Sequence, residues 1–315
     1  MKIHALLGSL VFQALHSHVL AGGGIRSIYL FKDVMKSNTT ALKTSGFNTL
    51  IIFGIGVLAN GDIMYYSNTP GSTDVLVASN GTYTGGDALA ARVRSFKEEG
   101  GGGGGGGQGA GTTVDRVEIS MNAQNVRQLM AAYDPADPEG SAAYRNFATL
   151  REAWDLDAVN NDDESIYDAA STVAFARMLG RIGYRYTIAP YDAGAAAFWR
   201  QVVTGANADA AGDGDGDGGG PPLLDRVYLQ LYDGGAANLP GGWQDYLGMK
   251  VVPLLWVVND SKPRFGQTPA QARERFARWS REDGVAGGGY WNDYDIEKMG
   301  SSYAEYGAVL TDIFP

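Results

Sequence analysis

The sequence has 315 residues, of which 44% are hydrophobic, and this is enough for one large α/β domain with a sizeable core. Lysine and arginine total 25 and aspartate and glutamate total 35, which gives a formal net charge of −10. An acidic surface disfavours nucleic acid and anionic membranes as partners and is compatible with a neutral carbohydrate. The chain has no cysteine, so disulfides, thiolate catalysis and cysteine metal sites are excluded.

The first 21 residues have the pattern of a secretory signal peptide. Lys2 precedes the apolar run ALLGSLVFQAL, and small or apolar residues at Val19 and Ala21 favour cleavage after Ala21. A buried first strand or helix is the alternative interpretation. We therefore expect a secreted protein, an expectation that fits the N-glycosylation triplets Asn-x-Ser/Thr at Asn38, Asn80 and Asn259.

Two low-complexity stretches, residues 98–113 and 205–222, are predicted to be loops because they cannot bury apolar surface. The second contains DGDGDG, which resembles the start of an EF-hand loop, but Leu224 occupies the position of the closing glutamate. The histidines lie in the predicted signal peptide, so neither a Ser-His triad nor a metal site is expected in the mature chain: His4, His16 and His18.

Apolar β-rich segments alternate with helix-like segments along the rest of the chain. The predicted strands begin at Ile25, Phe47, Asp115, Leu156, Gly183, Asp225, Met249 and Val285. The predicted helices are DALAARVRSFK, SAAYRNFATLREAW, SIYDAASTVAFARMLGRIG, TPAQARERFARWSRED and SSYAEYGAVLTDIF. Eight alternating units predict a single (β/α)8 TIM barrel over residues 22–315, with an open doubly wound sheet as the alternative.

The fourth predicted strand ends in a run of acidic side chains, WDLDAVNNDDESIYD. Side chains alternate along a strand, so Asn160, Asp162 and Glu164 point to one side. In a TIM barrel the chemistry lies at the carboxyl ends of the strands, where such a polar row is useful rather than costly. Asp157 lies farther back and can brace the strand. A solvated turn that caps a helix is the alternative, and it accounts for Asp163.

This stretch resembles the D-G-x-D-x-D-x-E motif of glycoside hydrolase family 18, the family of chitinases and some endo-β-N-acetylglucosaminidases. Asp157, Asp162 and Glu164 match three acidic positions, whereas Asn160 replaces the middle aspartate and Ala158 the glycine. The resemblance is to a secreted, fungal-type member.

Other predicted strands carry the same resemblance in the same order. Strand six has Gln230, Tyr232 and Asp233, similar to the family's Q-x-Y and M-x-Y-D signatures. Strand eight ends in Trp291, where the family has a tryptophan beneath the sugar. Two further matches are Ala189-Pro190 on strand five and Ser120 on strand three. Strand three also departs from the family pattern, because Asn122 and Ala123 replace its glycines.

The resemblance implies a retaining glycosidase in which the substrate's own acetamido oxygen attacks the anomeric carbon. It assigns Glu164 as the acid and later the base, Asp162 as the partner of the acetamido N–H, and Tyr232 as the donor to the acetamido oxygen. The implied substrate contacts are Asn160, Asp157, Trp291, Gln230 and Asp233. The implied substrate is a chitin-like N-acetylglucosamine polymer. The expected protein is a monomer that needs no cofactor and binds neither nucleic acid nor a membrane.

The segment after strand seven is too short for the α+β module that some members insert there, so an open cleft and internal cleavage are expected. A sugar-binding protein without turnover is the second hypothesis. The substitution at Asn160 favours it, and the retention of Glu164 argues against it. A glycosidase for another amino sugar also stays open. Aromatic residues that can contact sugar or pack internally are Tyr65, Tyr66, Tyr191 and Trp243.

Asn160 generates the first testable prediction. An aspartate at this position can share a proton with Asp162, whereas an asparagine cannot, so we expect the natural chain to have a shifted pH optimum or slower turnover. Asn160→Asp is expected to change the pH–rate profile, measured as kcat/KM across the pH range of activity. An unchanged profile would contradict the predicted effect of Asn160 on the pH dependence of activity.

Overall fold

The computed structural model describes residues 23–98, 111–208 and 221–315. The predicted signal peptide and most of both low-complexity stretches lie outside these ranges. The described residues include eight parallel strands that form a barrel: β1 (Ile25–Leu30), β2 (Thr49–Val57), β3 (Arg116–Met121), β4 (Ala158–Asn161), β5 (Arg185–Ile188), β6 (Leu224–Gln230), β7 (Val251–Val257) and β8 (Gly287–Trp291). Each strand pairs with the next, and β1 pairs with both β2 and β8, so the sheet is closed. The predicted TIM barrel is confirmed, and the open sheet is wrong.

Helices surround the barrel in the described residues. They are α1 (Thr39–Thr44), α2 (Asp87–Arg94), α3 (Val126–Ala131), α4 (Ala142–Trp154), α5 (Ala169–Ile182), α6 (Ala196–Ala206), α7 (Pro240–Leu247), α8 (Pro269–Glu282), α9 (Asp293–Lys298) and α10 (Tyr303–Ile313). The main core lies between the strands and this outer layer, and its largest fully buried side chains include Trp154, Trp199 and Phe276. None of the described helices is long and apolar enough to cross a membrane.

Local signals set the ends of the helices as the sequence predicts. Gly183 ends α5 with φ +103°, a conformation that glycine adopts without steric cost. Thr268 begins α8 with a capping box: its side chain accepts from the Gln271 backbone N–H, and the Gln271 side chain accepts from the Thr268 N–H. Pro269 follows at the first helical position, where its missing N–H costs nothing.

A small antiparallel extension follows β2 and was not predicted from the sequence. Its strands are Ile63–Tyr65, Val75–Ser79 and Thr82–Tyr83, and the first of them pairs with the last residues of β2. β2 is irregular between Ile52 and Ile55, where Gly54 has φ +88°. A Cβ at Gly54 would lie 2.6 Å from the Tyr66 carbonyl oxygen, so this change of direction requires glycine.

The connection from β7 to α8 is short, as predicted. Residues 258–268 contain only a 3-10 turn, Pro263–Phe265, and a two-residue strand, Gly266–Gln267, which pairs with the end of β7. No insertion module is present in this fully described segment. The carboxyl-terminal face of the barrel is therefore not covered by an extra domain at this point.

The interior of the barrel is polar on one side and apolar on the other. The Tyr29 hydroxyl on β1 donates to Asn160 on β4, and the Tyr228 hydroxyl on β6 donates to Glu118 on β3. Neither pair of strands is adjacent, so both hydrogen bonds cross the interior. The apolar side is an interior cluster that includes Ile25, Ile51, Val252 and Leu254.

Glu118 anchors the polar side in the amino-terminal half of the barrel. It is 0% exposed and accepts hydrogen bonds from Arg116 Nε at 2.7 Å, Thr187 Oγ1 at 2.7 Å and Tyr228 OH at 2.8 Å. Arg116 also forms a bidentate pair with Asp225, at 2.7 and 2.9 Å. A buried carboxylate is tolerated only with such partners, and these bonds join β3, β5 and β6.

The three predicted N-glycosylation triplets have different environments. Asn38 and Asn80 are exposed, and Asn38 caps α1 by accepting from the Ala41 N–H at 3.1 Å. Asn259 is 3% exposed, and its Nδ2 donates to the Val257 carbonyl at 3.1 Å. A glycan on Asn259 is therefore incompatible with this folded structure, because its acceptor nitrogen is buried and bonded.

Asp157 is not at the carboxyl-terminal face, where a substrate contact would have to lie. It immediately precedes β4 at the opposite end of the barrel, and its carboxylate accepts from the Val117 N–H at 2.8 Å. It also forms an ion pair with Lys97 at 3.1 Å. The predicted substrate contact is corrected: Asp157 braces β4 against β3, because a residue before a barrel strand faces away from the site.

Asp157→Ala is expected to lower the free energy of unfolding by about 1–2 kcal/mol, because one charge-assisted hydrogen bond and a partly exposed ion pair are lost. Denaturant unfolding measures this change. The control Asp245→Ala removes an exposed carboxylate from α7 and is expected to change the stability by less than about 0.5 kcal/mol. Equal effects of the two variants would contradict the bracing role.

Candidate functional site

A cavity of about 220 Å³ lies at the carboxyl ends of the barrel strands. Six of the predicted site residues line it together: Asp162, Glu164, Gln230, Tyr232, Asp233 and Trp291. Four further residues complete the lining: Tyr29, Phe53, Tyr191 and Trp256. Side chains from distant parts of the sequence therefore converge on one cleft, as the alternation along the predicted strands requires.

Asn160 lies beneath this cleft rather than in its lining. It is 0% exposed, and its Oδ1 accepts from Tyr29 OH and Ser120 Oγ, both at 2.9 Å. Its Nδ2 donates to Thr187 Oγ1 at 3.0 Å, and that hydroxyl in turn donates to Glu118. These bonds fix which end of the amide faces which partner. A substrate contact at Asn160 is not supported by this position, and its role is to support the strand under Asp162.

Asp163 builds the turn that carries Glu164. It is 1% exposed, and its carboxylate accepts three backbone N–H bonds, from Ser165 at 3.0 Å, Ile166 at 2.7 Å and Tyr167 at 2.8 Å. Such bonds are what short acidic side chains supply at tight turns. The sequence interpretation of Asp163 as a turn residue agrees with this geometry, and the turn holds Glu164 at the rim of the cleft.

Gln230 joins the carboxyl groups of Asp162 and Glu164, which follow the end of β4. Its Nε2 lies 3.1 Å from Asp162 Oδ1, 3.3 Å from Glu164 Oε1 and 3.1 Å from the Ala189 carbonyl oxygen. Gln230 ends β6, which is separated from β4 only by β5, and its one neutral amide group donates to both acids. This arrangement keeps the carboxyl groups of Asp162 and Glu164 close without placing a positive charge between them.

Both acids bind protons more strongly than usual. Burial, followed by the nearby Glu164 carboxyl, raises the pKa of Asp162 to about 8 despite the hydrogen bond from Gln230. Glu164 is exposed at the rim, yet partial burial of its carboxyl end, with Asp233 nearby, also raises its pKa. The larger rise therefore falls on Asp162, and the pair as a unit retains a proton near neutral pH.

Tyr232 presents a free hydroxyl to the same cavity. Among the described residues no group forms a hydrogen bond with this hydroxyl, although the residue is only 7% exposed. Burial, together with Asp162 and Glu164, raises the pKa of Tyr232 well above its ordinary value, so the phenol stays protonated. Tyr232 is therefore available as a hydrogen-bond donor to a ligand.

Aromatic rings form the floor and walls of the cleft. Trp291 packs against Phe53 at 4.8 Å and against Tyr29 at 5.5 Å, measured between ring centroids. Trp256 packs against Tyr232 at 5.6 Å. Tyr29, Phe53 and Trp256 were not predicted as site residues from the sequence. The alternation of side chains along a strand could have identified these three residues as facing the barrel interior. Each lies two residues after an inward-facing residue of the same strand, as Phe53 does after Ile51.

Loops from β5 and β7 hold the remaining acid, Asp233. Lys262, from the loop after β7, forms an ion pair with the Asp233 carboxylate. Tyr191, from the loop after β5, accepts the Gly234 N–H at 2.9 Å. Of the other aromatic candidates, Tyr65 and Trp243 are buried outside the cleft and Tyr66 is exposed outside it, so only Tyr191 lines the cavity.

Several solved structures with a similar fold are chitinases. Active domain 2 of the thermostable chitinase from Pyrococcus furiosus has a TM-score of 0.56 at 12% identity, over 92% of this chain and 94% of that one. Putative chitinase A from Streptomyces coelicolor has a TM-score of 0.52 at 14% identity, over 92% and 99%. The class V chitinase from Nicotiana tobaccum has a TM-score of 0.52 at 9% identity, over 91% and 98%.

At the level of sequence alone, no protein-family model and no curated protein matches the chain. The structural likeness establishes that the chain has the barrel fold of chitinase catalytic domains. The resemblance stated from the sequence is thereby confirmed for the fold across nearly the whole described chain.

The raised pKa of Asp162 predicts a pH-dependent cost to stability. The folded protein keeps this proton up to about pH 8, whereas an unfolded aspartate loses it near the ordinary value of 3.8, so the contribution of Asp162 to stability falls between these pH values as pH rises. Asp162→Asn removes this dependence. The unfolding free energy of the variant minus that of the natural protein is expected to increase from pH 4 to pH 8.

Denaturant unfolding at both pH values measures this difference. Asp245→Asn on α7 is the control, because it replaces an exposed acid and its difference from the natural protein is expected to stay constant. A constant difference for Asp162→Asn as well would show that the carboxyl group is ionised in the folded protein at neutral pH.

Proposed function

We propose that the chain is a family 18 glycoside hydrolase that cleaves β-1,4-linked N-acetylglucosamine polymers with retention, by substrate-assisted catalysis. One observation supports this more than any other: Asp162 and Glu164 lie side by side, bridged by Gln230, in a cleft that also receives the unbonded Tyr232 hydroxyl. The fold shared with chitinases adds to this support.

The proposed reaction uses these groups in two steps. The acetamido oxygen of the substrate attacks the anomeric carbon while the bond to the leaving sugar breaks, and Glu164 gives its proton to the leaving oxygen. Asp162 accepts the acetamido N–H and stabilises the positive charge on the resulting oxazolinium ion. Tyr232 donates to the acetamido oxygen. Water then attacks the anomeric carbon, the bond between that carbon and the acetamido oxygen breaks, and Glu164 takes up the proton that this water loses.

The electrostatics of the cleft suit this sequence. A general acid must keep its proton at the operating pH. Burial raises the pKa of both acids and so favours one proton on the Asp162–Glu164 pair near neutrality, and the proposed reaction requires this proton to lie on Glu164 when Asp162 accepts the acetamido N–H. Loss of the proton at higher pH would end the first step, so activity is expected to fall on the alkaline side. Apolar and aromatic walls at Trp291 and Phe53 suit the flat faces of a sugar ring.

A sugar-binding protein without turnover is the second candidate. It is favoured by Asn160, whose amide is fully engaged with Tyr29, Ser120 and Thr187 and offers no carboxyl group to share a proton with Asp162. The same cleft would then bind an N-acetylglucosamine chain without cleaving it. Turnover distinguishes the two candidates directly.

Glu164→Gln is expected to reduce kcat at least about a hundredfold while KM changes little, because the variant keeps the shape of the side chain and loses the transferable proton. A fluorogenic chitobioside or chitotrioside reports the release of product. Glu152→Gln, the same change on the exposed face of α4, is the control and is expected to keep full activity.

Each possible result has a clear meaning. Full turnover by Glu164→Gln would overturn the assigned acid. Oligosaccharide binding without turnover, in the natural chain and in both variants, would instead identify a sugar-binding protein.

A further inference from the structure

Trp256 lines the cleft, but the proposed reaction gives it no task. It lies on β7 directly opposite Trp291 in the β7–β8 register, so the two indoles reach the same part of the cavity from adjacent strands. Its ring contacts Tyr232 at 5.6 Å with an interplanar angle of 63°. Trp256 thus connects the proposed acetamido site with the aromatic floor.

A buried carboxylate fixes this indole. Asp295 lies on α9, just after β8, and is 6% exposed. Its Oδ2 accepts from Trp256 Nε1 at 2.8 Å and from Asn292 Nδ2 at 3.1 Å, while Asn292 Oδ1 accepts the Asp295 backbone N–H at 2.9 Å. Asp295 and Asn292 therefore hold each other, so the acceptor for the indole has one defined position.

An indole N–H bonded to a carboxylate is a stronger restraint than packing alone. The hydrogen bond is charge-assisted, and the low exposure of Asp295 limits competition from water. Rotation of Trp256 about its side-chain bonds would leave both the buried carboxylate and the indole N–H without this bond, which is costly. The ring is therefore held in one orientation before any ligand arrives, and pre-organisation of this kind favours binding.

We propose that Asp295 is a positioning residue that holds Trp256 as a second aromatic contact for the bound sugar, beside Trp291. This inference rests on the proposed function. Asp295 acts only through the indole and takes no part in the transfer of protons.

The expected effect is on substrate binding. Asp295→Ala is expected to raise KM for a tetramer of N-acetylglucosamine about threefold to tenfold, the scale of one aromatic contact, with kcat within about twofold. Asp295→Asn keeps an oxygen acceptor for the indole N–H and is expected to restore most of the loss. Trp256→Phe keeps an aromatic ring without the N–H donor and is expected to raise KM on the same scale.

A double-mutant cycle separates positioning from a general structural role. If Asp295 acts through Trp256, the double variant Asp295→Ala/Trp256→Phe binds the tetramer no more weakly than Trp256→Phe alone. Additive losses, or a fall in kcat without a rise in KM, would overturn the proposal. The exposed Glu305→Ala on α10 is the matched control for removal of an acid and is expected to behave as the natural chain.

Binding of the tetramer to the Glu164→Gln background, followed by intrinsic tryptophan fluorescence, keeps the two proposals distinguishable. If the natural chain does not cleave the tetramer, the proposed function fails, whether or not the tetramer binds. If the natural chain cleaves the tetramer, but Asp295→Ala and Trp256→Phe bind it as tightly as their parent, only the positioning role fails. Thermal unfolding of each variant shows whether a loss of binding reflects loss of the fold. If Asp295→Ala does not fold, the more conservative variants Asp295→Asn and Trp256→Phe still test the proposal.

Discussion

The candidate site depends on keeping two acidic side chains close together where neither is fully solvated. Like charges in such a place repel, so at least one proton must stay bound, and a neutral donor must keep the side chains from turning apart. Gln230 is that donor, and Asp163 fixes the turn between the two acids with three backbone hydrogen bonds.

The interior of the barrel shows how this geometry is supported from below. Asn160 is tied to β1, β3 and β5 by hydrogen bonds from its amide, and Thr187 connects it to the buried ion-pair cluster around Glu118. Asp162 therefore follows a strand whose position is set by side-chain hydrogen bonds to three other strands as well as by backbone pairing. A carboxyl group in place of the Asn160 amide would put an acceptor where Nδ2 now donates to Thr187, so the bonds of that hydroxyl would have to rearrange.

Much of the fold and of the site could be predicted from the sequence. The parts that could not be predicted have physical explanations. Continuous apolar runs and capping residues predicted every barrel strand and five of the described helices, α2, α4, α5, α8 and α10, because those signals are local. The 11-residue helix α6 was not predicted. Asp157 matched the motif but lies at the wrong end of the barrel, because a motif does not show where its strand begins. The antiparallel extension after β2 was missed because its strands are short, and Trp256 because a tryptophan in an apolar run looks like core. Its partner Asp295 is far away in sequence, so only the folded chain brings the two together.

The two low-complexity stretches each connect a helix to the strand that follows it, α2 to β3 and α6 to β6. In a barrel of this topology the described residues that flank both stretches lie at the amino-terminal face, the side remote from Glu164. Changes of length between these flanking residues are therefore expected to leave the chemistry of the cleft unchanged. The same positions are suitable places to insert a reporter peptide or an affinity handle.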